Sequence, residues 1–270
     1  MPVRAANCLL MLIGISTPSF AEEDPGNSNE SSGSVTDVQF VGATDYVTGN
    51  LGELDYETIS IGAGVIVTKE RFTFSASLPY VSTTAPEDLI VSNGGLLGTS
   101  LFATPTFATR ETTREGLGDL VIQGAYIFLI AGLDAQVASS VKVPTASRRK
   151  GLGSGKLDFG ASGQISKRLG AVVPFVGVDY TILGDPEGFD VRNTISGTTG
   201  AYYLVGESTS ISLAYGYEQS ATAEIGDRQN IGIGLGTNLS PQVRLGLDGS
   251  AGLSKDAPDA RVGLRLGLGF

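Results

Sequence analysis

Large apolar residues alternate with small or polar residues along most of the chain beyond residue 34. In the final segment, Val262, Leu264 and Leu266 alternate with glycines and Arg265. Successive side chains of a β-strand point to opposite faces, so a period of two predicts strands with one oily face. The pattern predicts twelve strands, at approximately 34–48, 54–67, 71–83, 116–130, 133–146, 156–169, 171–184, 192–205, 208–221, 227–239, 242–255 and 259–270.

The connections between these segments alternate in length. Tight turns follow the even strands, at Lys69-Glu70, Ala131-Gly132, Gly170, Gly206-Glu207 and Ser240-Pro241. The longer connections include 84–115, 147–155 and 185–191. Short turns at one end and longer loops at the other are typical of a transmembrane up-and-down antiparallel β-barrel, whose short turns are periplasmic. Fourteen strands are the alternative, if 88–110 folds as an extra hairpin.

The N-terminus predicts export. Residues 1–21 contain Arg4, a short apolar stretch over 8–15, and small residues before position 21, the pattern of a cleaved secretory signal peptide. The only cysteine, Cys8, leaves with this signal, so the mature chain has no disulfide or cysteine metal site. Residues 22–33 are acidic and rich in turn formers, which predicts a disordered periplasmic arm. The barrel is expected over 34–270.

The alternation alone does not separate a barrel from a soluble β-sandwich, because a sandwich also has one polar face. The chain has no run of eighteen apolar residues, so no transmembrane helix is predicted. The export signal and the terminal Phe270 favour the barrel. An aromatic C-terminal residue resembles the ending of many outer-membrane barrels, and this resemblance implies that the assembly machinery of that membrane reads Phe270. The expected location is therefore the outer membrane of a Gram-negative bacterium, with the strands in contact with its lipid.

The charged residues can be assigned to the inner face of the barrel. In the ninth strand, Ile211 and Leu213 point one way, while Ser210, Ser212 and Glu218 point the other. A charge facing the middle of a bilayer would cost roughly 2–4 kcal/mol. Every mid-strand charge can be turned inward without breaking the alternation. The expected charge network in the lumen consists of Asp119, Lys142, Asp158, Lys156, Asp179, Glu218, Arg244, Asp248 and Arg265.

The residue inventory argues against an enzyme. The chain of 270 residues has no histidine, which excludes a Ser–His pair and a histidine metal site. No catalytic residue, metal or cofactor is predicted, because charges of both signs inside a narrow barrel are expected to pair with one another. The formal net charge of −10 also argues against nucleic acid as a partner.

Glycines and tyrosines add two further expectations. The last three strands are expected to present glycines inward at positions 232, 234, 236, 246, 252, 263, 267 and 269. Either long side chains from the opposite wall fill the space over these glycines or a passage runs along them. Tyrosines cluster near the predicted strand ends, where a membrane-interface belt of aromatic residues is expected. Tyrosine is also simply a good strand former, so this second reading stays open.

The long segment 84–115 is oily for an exterior loop. Exposed apolar clusters usually mark a binding surface or a segment that folds back onto something. One hypothesis is that the segment folds over or into the mouth, where it gates the barrel or captures a small apolar solute. The other is that it extends strands three and four and packs on itself. The candidate gate residues are Leu89, Ile90, Leu96, Leu97, Leu101, Phe102 and Phe107.

Three motifs in the middle of the chain resemble a known family. The runs 116–120 (GLGDL), 142–145 (KVPT) and 151–158 (GLGSGKLD) resemble, in this order, the outer-membrane barrels labelled "meta-pathway of phenol degradation". Ala146 stands where that pattern has glycine. The resemblance implies a barrel associated with uptake of small, often aromatic, compounds. Asp119, Lys142 and Asp158 lie on neighbouring predicted strands, so an inward carboxylate–lysine–carboxylate ladder is expected.

The sequence therefore predicts an outer-membrane channel for passive uptake of small, hydrophobic or aromatic solutes. The alternative is a structural or adhesive barrel with a filled lumen and no transport. Twelve strands lie between the eight that side chains just fill and the sixteen that leave an open channel, so the strand number does not decide between them.

Overall fold

The computed structural model describes residues 36–51, 54–87, 89–93, 99–103 and 110–270. The predicted signal peptide and the predicted arm lie outside these residues. The strands are β1 Thr36–Leu51, β2 Leu54–Lys69, β3 Phe72–Pro86, β4 Ile90–Asn93, β5 Thr99–Phe102, β6 Glu111–Leu117, β7 Leu120–Ile130, β8 Leu133–Val143, β9 Asp158–Ser166, β10 Val172–Ile182, β11 Thr194–Val205, β12 Thr209–Glu218, β13 Arg228–Asn238, β14 Val243–Gly252 and β15 Ala260–Gly269. In the described part of the chain no helix is long and apolar enough to cross a membrane.

Thirteen of these strands form one closed antiparallel barrel with twelve positions around its wall. The twelve wall positions follow one another in chain order, each paired with the next, and β1 pairs with both β2 and β15, which closes the ring. The strands β6 and β7 share one position, because both pair with β3 on either side of a break at Gly118. At this break the Gly118 N–H donates to the Pro79 carbonyl at 2.8 Å. The prediction of a twelve-stranded up-and-down barrel is confirmed.

The extra hairpin forms, but it does not join the wall. The strands β4 and β5 pair only with each other, from Ile90↔Phe102 to Asn93↔Thr99. The alternative of fourteen wall strands is therefore wrong. The ends of the segment 84–115 are wall strands instead, since β3 continues to Pro86 and β6 begins at Glu111.

Opposite ends of the barrel differ in their connections. One end, called here the short-turn end, has tight turns such as Ala131-Gly132, where both residues have positive φ. The other, called here the long-loop end, has the connections 144–157, 183–193, 219–227 and 253–259 between paired strands. The termini of the wall, Thr36 and Gly269, both lie at the short-turn end, which follows from the even number of wall positions.

Alternation along the strands separates an oily outer face from a polar inner face. On β12, Leu213 is 57% exposed on the outside, whereas its neighbour Ser212 is 5% exposed on the inside. Outward apolar side chains recur on every wall position, and they include Ile61, Phe74, Ile122, Val137, Ile165, Val178, Leu213, Ile233, Leu247 and Leu264. The inner face buries polar groups such as Gln39, Thr58 and Asn230. This arrangement, with apolar side chains outside and polar side chains inside, is the reverse of that in a soluble protein. It is the arrangement expected of a barrel in contact with lipid.

The tyrosines divide between the two faces. Tyr46, Tyr80, Tyr180 and Tyr215 are exposed on the outer face near the long-loop end, as expected for an interfacial belt. Tyr56 and Tyr202 are buried on the inner face. The expectation of a belt is wrong for these two, because their places in the alternation turn them inward.

Candidate functional site

The hairpin β4–β5 lies across the opening at the long-loop end. On one side, Leu89, Val91 and Leu101 pack in a buried cluster with Tyr56 and with Val47, Leu51, Ala85, Ala103 and Ile225. Leu89 and Val91 are 0% exposed. This cluster joins the hairpin to β1 and β2 on one side of the barrel and to the loop 219–227.

Side chains on the other face of the hairpin contact the opposite part of the wall. Ile90 and Phe102 pack with Ala221, and the partly buried Leu183, Phe189 and Val191 surround them. Those three residues belong to the loop between β10 and β11, which is opposite β1 and β2 in a ring of twelve. The hairpin therefore spans the mouth and does not stand above it.

Four of the seven candidate gate residues have a described position. Leu89, Ile90, Leu101 and Phe102 are all buried in the two clusters of the hairpin. Leu96, Leu97 and Phe107 lie outside the described residues. Tyr56 and Ile225 were not among the sequence candidates, because nothing in the local pattern of β2 or of the loop 219–227 shows which segment will rest on them.

The three motifs of the middle chain meet at one buried lysine. Lys142 Nζ lies 2.6 Å from Asp158 Oδ2 and 3.4 Å from Asp119 Oδ2. Lys142 also donates to Ser154 Oγ at 3.1 Å. Lys142 faces Asp158 directly across the pair of β8 and β9, so strand register alone brings these charges together. All three charges are buried, and Asp119 is 0% exposed.

The loop 144–157 folds over Asp119. The Ala146 N–H donates to Asp119 Oδ1 at 2.9 Å, and Thr145 Oγ1 donates to the Gly118 carbonyl at 2.7 Å. A methyl group at Gly153 would lie 2.7 Å from Ala146 Cβ and 2.8 Å from Asp119 Oδ2, so only glycine allows the loop to pack this closely. Ala146, the departure from the family pattern, keeps its hydrogen bond because that bond uses only the backbone.

The same loop holds the hairpin. The Val91 N–H donates to the Gly151 carbonyl at 3.1 Å. Leu152 is fully buried in a cluster with Val81 and Ala146 beneath this contact. Gly151 adopts a φ of 64°, in the left-handed region that favours glycine, where it ends the short 3₁₀ helix Arg148–Lys150. The buried lysine, the loop over it and the hairpin thus form one connected unit.

A cavity of about 120 Å³ lies beneath the hairpin. Its roof includes Leu101, and Leu183, Ala221 and Ile225 give it further apolar surface. Its polar lining contains two ion pairs: Lys142 with Asp158, and Arg228 with Glu218. Ser140, Thr181, Thr194 and Ser220 add hydroxyl groups. The cavity can therefore hold a small solute between an apolar roof and hydrogen-bonding walls.

Other predicted lumen charges meet partners that the sequence did not name. Arg265 lies 2.6 Å from Asp45 Oδ1 and 3.8 Å from Asp248 Oδ1. Arg261 lies at 2.7 Å from the same oxygen of Asp45, and Arg244 is 3.8 Å from Asp37 Oδ2. Asp37 and Asp45 were missed as members of the network. The inward places of both on β1 were readable from the alternation, but their partners depend on how β1 closes against β15.

Two of the predicted charges stand apart from these groups. Lys156 lies in the loop before β9, where its backbone N–H donates to Ser154 Oγ at 3.3 Å. Asp179 is on the inner face of β10, directly across from Ser162 and Ser196. Within the described residues, neither side chain has an ion pair. No group of three or more metal-ligating side chains is found in that part of the chain either.

The wall of inward glycines is partly covered by its own neighbours. A methyl group at Gly246 would lie 3.4 Å from Arg265 Cβ, and one at Gly267 would lie 3.5 Å from Arg244 Cβ. At Gly263 it would lie 2.6 Å from Asp248 Oδ1. The charged side chains that cover these glycines come from adjacent strands of the same wall, not from the opposite wall.

The loop 219–227, which supports the hairpin, is held by Asp227. Tyr217 Oη donates to Asp227 Oδ2 at 2.6 Å, and the Ser220 N–H donates to Oδ1 at 3.0 Å. These two hydrogen bonds, that from Tyr217 first, lower the pKa of Asp227 below its usual value. The carboxylate form of Asp227 therefore keeps this loop in place.

Three solved structures illustrate what this fold is similar to. The COG4313 outer membrane channel from Pseudomonas putida F1 is 15% identical, with a TM-score of 0.66 over 92% of this chain and 100% of that chain. The translocator domain of the autotransporter NalP from Neisseria meningitidis is 12% identical, with a TM-score of 0.49 over 89% of this chain and 90% of that one. The CymD monoaromatic hydrocarbon channel is 11% identical, with a TM-score of 0.45 over 87% of both chains.

No protein-family model matches the chain. No curated protein sequence matches it either. At these identities the first of the three structures shows a shared barrel fold, and the function has to be argued from the geometry of this chain.

Proposed function

We propose that this protein is an outer-membrane channel for passive uptake of small, hydrophobic or aromatic solutes, and that the hairpin β4–β5 is its gate. The observation that carries the proposal is the position of the hairpin across the mouth, directly above a lined cavity. A segment that only completed a wall would not need contacts with opposite sides of the barrel.

The lining of the cavity supports the type of solute. The roof residue Leu101 and the side residues Leu183 and Ile225 are apolar, and they favour a solute with an apolar body. The ionic groups of the lining are paired with one another, so a solute does not have to supply a counter-charge. The resemblance of the three middle motifs to a family associated with uptake of small compounds agrees with this proposal.

The fold supports the proposed location. An oily outer face surrounds a polar lumen, and the two ends differ in loop length as in outer-membrane barrels. The barrel also shares its fold with a solved outer membrane channel. The long-loop end, with the hairpin, then faces the outside of the cell.

A structural barrel without transport is the second candidate. It is favoured by the full burial of Leu89 and Val91, which leaves no open path beside them while the hairpin is seated. The two candidates differ in what happens when the hairpin is removed. A gated channel then conducts more, whereas a filled barrel remains closed.

The test is a replacement of the hairpin that leaves the wall intact. The Glu87 N–H donates to the Arg110 carbonyl at 3.1 Å, so these residues are placed to be joined by a two-residue turn. We would replace residues 88–109 by Asn-Gly, a pair that favours tight hairpin turns. The control carries the same Asn-Gly replacement at Glu70-Arg71, the turn at the other end of β3.

Conductance in planar bilayers and solute-driven swelling of liposomes measure the outcome. We expect low, intermittent conductance from the natural protein, a several-fold increase when the hairpin is replaced, and no change in the control. Absence of conductance from the natural protein and from the hairpin replacement alike would reject the channel and favour the structural barrel.

A further inference from the structure

Two aromatic side chains stack inside the barrel near its short-turn end. The rings of Phe175 and Tyr202 have centroids 4.8 Å apart and an interplanar angle of 28°. Tyr202 faces Val173 directly across the pair of β10 and β11, and these three residues form a buried cluster. Alternation turns Tyr202 inward and its neighbour Tyr203 outward, at 3% and 54% exposure.

The side chains of this cluster project into the lumen. The strands β10 and β11 are opposite β1 and β2 in the ring of twelve positions. Gln39 on β1 and Ile66 on β2 are buried on the inner face in the same half of the barrel. We call the level formed by Gln39, Ile66, Val173, Phe175 and Tyr202 the inner constriction.

The hydroxyl group of Tyr202 lacks a hydrogen-bond partner at this level. Tyr202 Oη is buried and has no hydrogen-bond partner, and neither has Ser166 Oγ, which belongs to the residue directly across from Phe175. Most buried polar groups in proteins are hydrogen-bonded, and an exception calls for an explanation such as a water molecule, an ion or a bound solute. Tyr202 Oη is a phenolic hydroxyl with a proton to donate, so a hydrogen-bond acceptor would satisfy it.

We propose that the inner constriction is a second solute-binding level, at which Tyr202 Oη donates a hydrogen bond to the acceptor atom of a small neutral solute. The proposal rests on the channel function proposed above and adds a chemical preference to it. Val173, Phe175 and the adjacent Leu204 and Ala214 favour an apolar body. The carboxylate of Asp37, which accepts a hydrogen bond from Gln39 Nε2 at 2.8 Å, is paired with Arg244 at 3.8 Å, so an ionic solute would lose hydration at this level without gaining a free counter-charge. The class is therefore a compact hydrocarbon that carries one carbonyl or hydroxyl oxygen.

Two probes of nearly equal shape isolate the hydrogen bond. Cyclohexanone carries a carbonyl oxygen, and methylenecyclohexane carries a CH₂ group in its place. Their affinities for the refolded barrel in lipid nanodiscs can be measured by ligand-observed NMR, with empty nanodiscs as the blank. The test variant is Tyr202→Phe, which removes only Oη. The matched control is Tyr203→Phe, which removes the same atom from the outward residue next to it.

We expect Tyr202→Phe to weaken cyclohexanone binding by about two- to tenfold, the range for one neutral hydrogen bond, and to leave methylenecyclohexane unchanged. Tyr203→Phe should change neither. Equal affinities of cyclohexanone for the natural protein and for Tyr202→Phe would overturn the proposal, and so would an equal loss for both probes. Conductance is measured separately. Tyr202-dependent binding in a barrel that does not conduct would reject the channel alone, whereas conductance without the Tyr202 effect would reject the binding level alone.

Discussion

Val91 donates its backbone N–H to the carbonyl oxygen of Gly151 at 3.1 Å, and this bond ties the hairpin in the mouth to the loop over the buried lysine. Because Gly151 and Ser154 belong to the same loop, 144–157, Lys142 and the hairpin are two ends of one connected unit. The ion pairs at Lys142 are thus connected, through this loop, to the proposed gate. Changes at either end of the unit are expected to be measurable at the other.

Removing the charge of Lys142 tests this coupling. In Lys142→Met, Asp119 and Asp158 keep their burial but lose the cation between them. Breaking a buried ion pair by deleting one partner typically costs about 3–5 kcal/mol. We expect a lower unfolding midpoint in urea, measured by the change in electrophoretic mobility of the folded barrel, together with more frequent opening in bilayers.

The control for this substitution is Lys156→Met in the neighbouring loop. Lys156 is partly exposed and contributes only a backbone hydrogen bond to Ser154. We expect its stability and conductance to equal those of the natural protein. A stable Lys142→Met barrel with unchanged opening would show that the buried lysine does not hold the hairpin.

Close packing at Gly153 gives a second test. In Gly153→Ala the new methyl group would come within 2.8 Å of both Ala146 Cβ and Asp119 Oδ2, so the loop has to shift. Overpacking of this kind costs typically about 1–3 kcal/mol. Gly42→Ala is the control, since a methyl group there meets nothing within 4 Å. We expect increased conductance and a lower urea midpoint for Gly153→Ala only, and equal values for the two variants would contradict the assigned role of the loop.

Much of the fold follows from the period of the sequence. The alternation at Ile211–Leu213 predicts strand β12 and both of its faces, because an oily outer face and a polar inner face are required of every wall strand. The turns at Ala131 and Gly206 likewise mark the short-turn end. The break at Gly118 was not predicted, since a strand interrupted for two residues keeps nearly the same alternation.

The site was less accessible from sequence, for a physical reason. The ladder at Lys142 follows from strand register, so the sequence predicted which charges meet there. The position of the hairpin across the mouth depends on contacts between residues that are far apart in the sequence, such as Leu101 and Ile225. No local sequence pattern predicts such contacts. The inward position of Tyr202 was readable from the alternation, but its missing hydrogen bond was not.

Lowering the pH is expected to destabilise the loop 219–227, which supports the hairpin. The pKa of Asp227 is lowered by hydrogen bonds from Tyr217 and from the Ser220 backbone, so this carboxylate stabilises the loop 219–227 at neutral pH. Because the pKa of Asp227 is lower in the folded state than in the unfolded state, the carboxylate stabilises the fold fully at pH values above its unfolded-state pKa. This stabilisation is lost as the pH falls through its folded-state pKa. We expect the amide signal of Ser220 in NMR to titrate with a midpoint below that of an ordinary aspartate.

Two variants check the assignment of this titration. Tyr217→Phe removes the larger cause of the lowered pKa, so the midpoint should rise towards the ordinary value. Asp227→Asn should abolish the titration. A midpoint that is unaffected by Tyr217→Phe would show that another carboxyl group is being observed.

The terminal residue Phe270 provides the last prediction. Its N–H donates to the Val38 carbonyl at 2.9 Å, and its ring meets Phe40 edge-on with centroids 5.7 Å apart. Phe270 is nevertheless 81% exposed on the outer face, so it contributes little to the packing of the finished barrel. We propose that the assembly machinery of the outer membrane recognises this exposed terminal ring. Deletion of Phe270 should then lower the amount of assembled barrel in the membrane several-fold, while the molecules that do assemble conduct normally.

Phe40→Ala separates recognition from packing, because it removes the same ring contact and keeps the aromatic terminus. Its yield should remain near that of the natural protein, and an equal loss in both variants would assign the effect to the contact between Phe40 and Phe270 at the closure of β1 on β15.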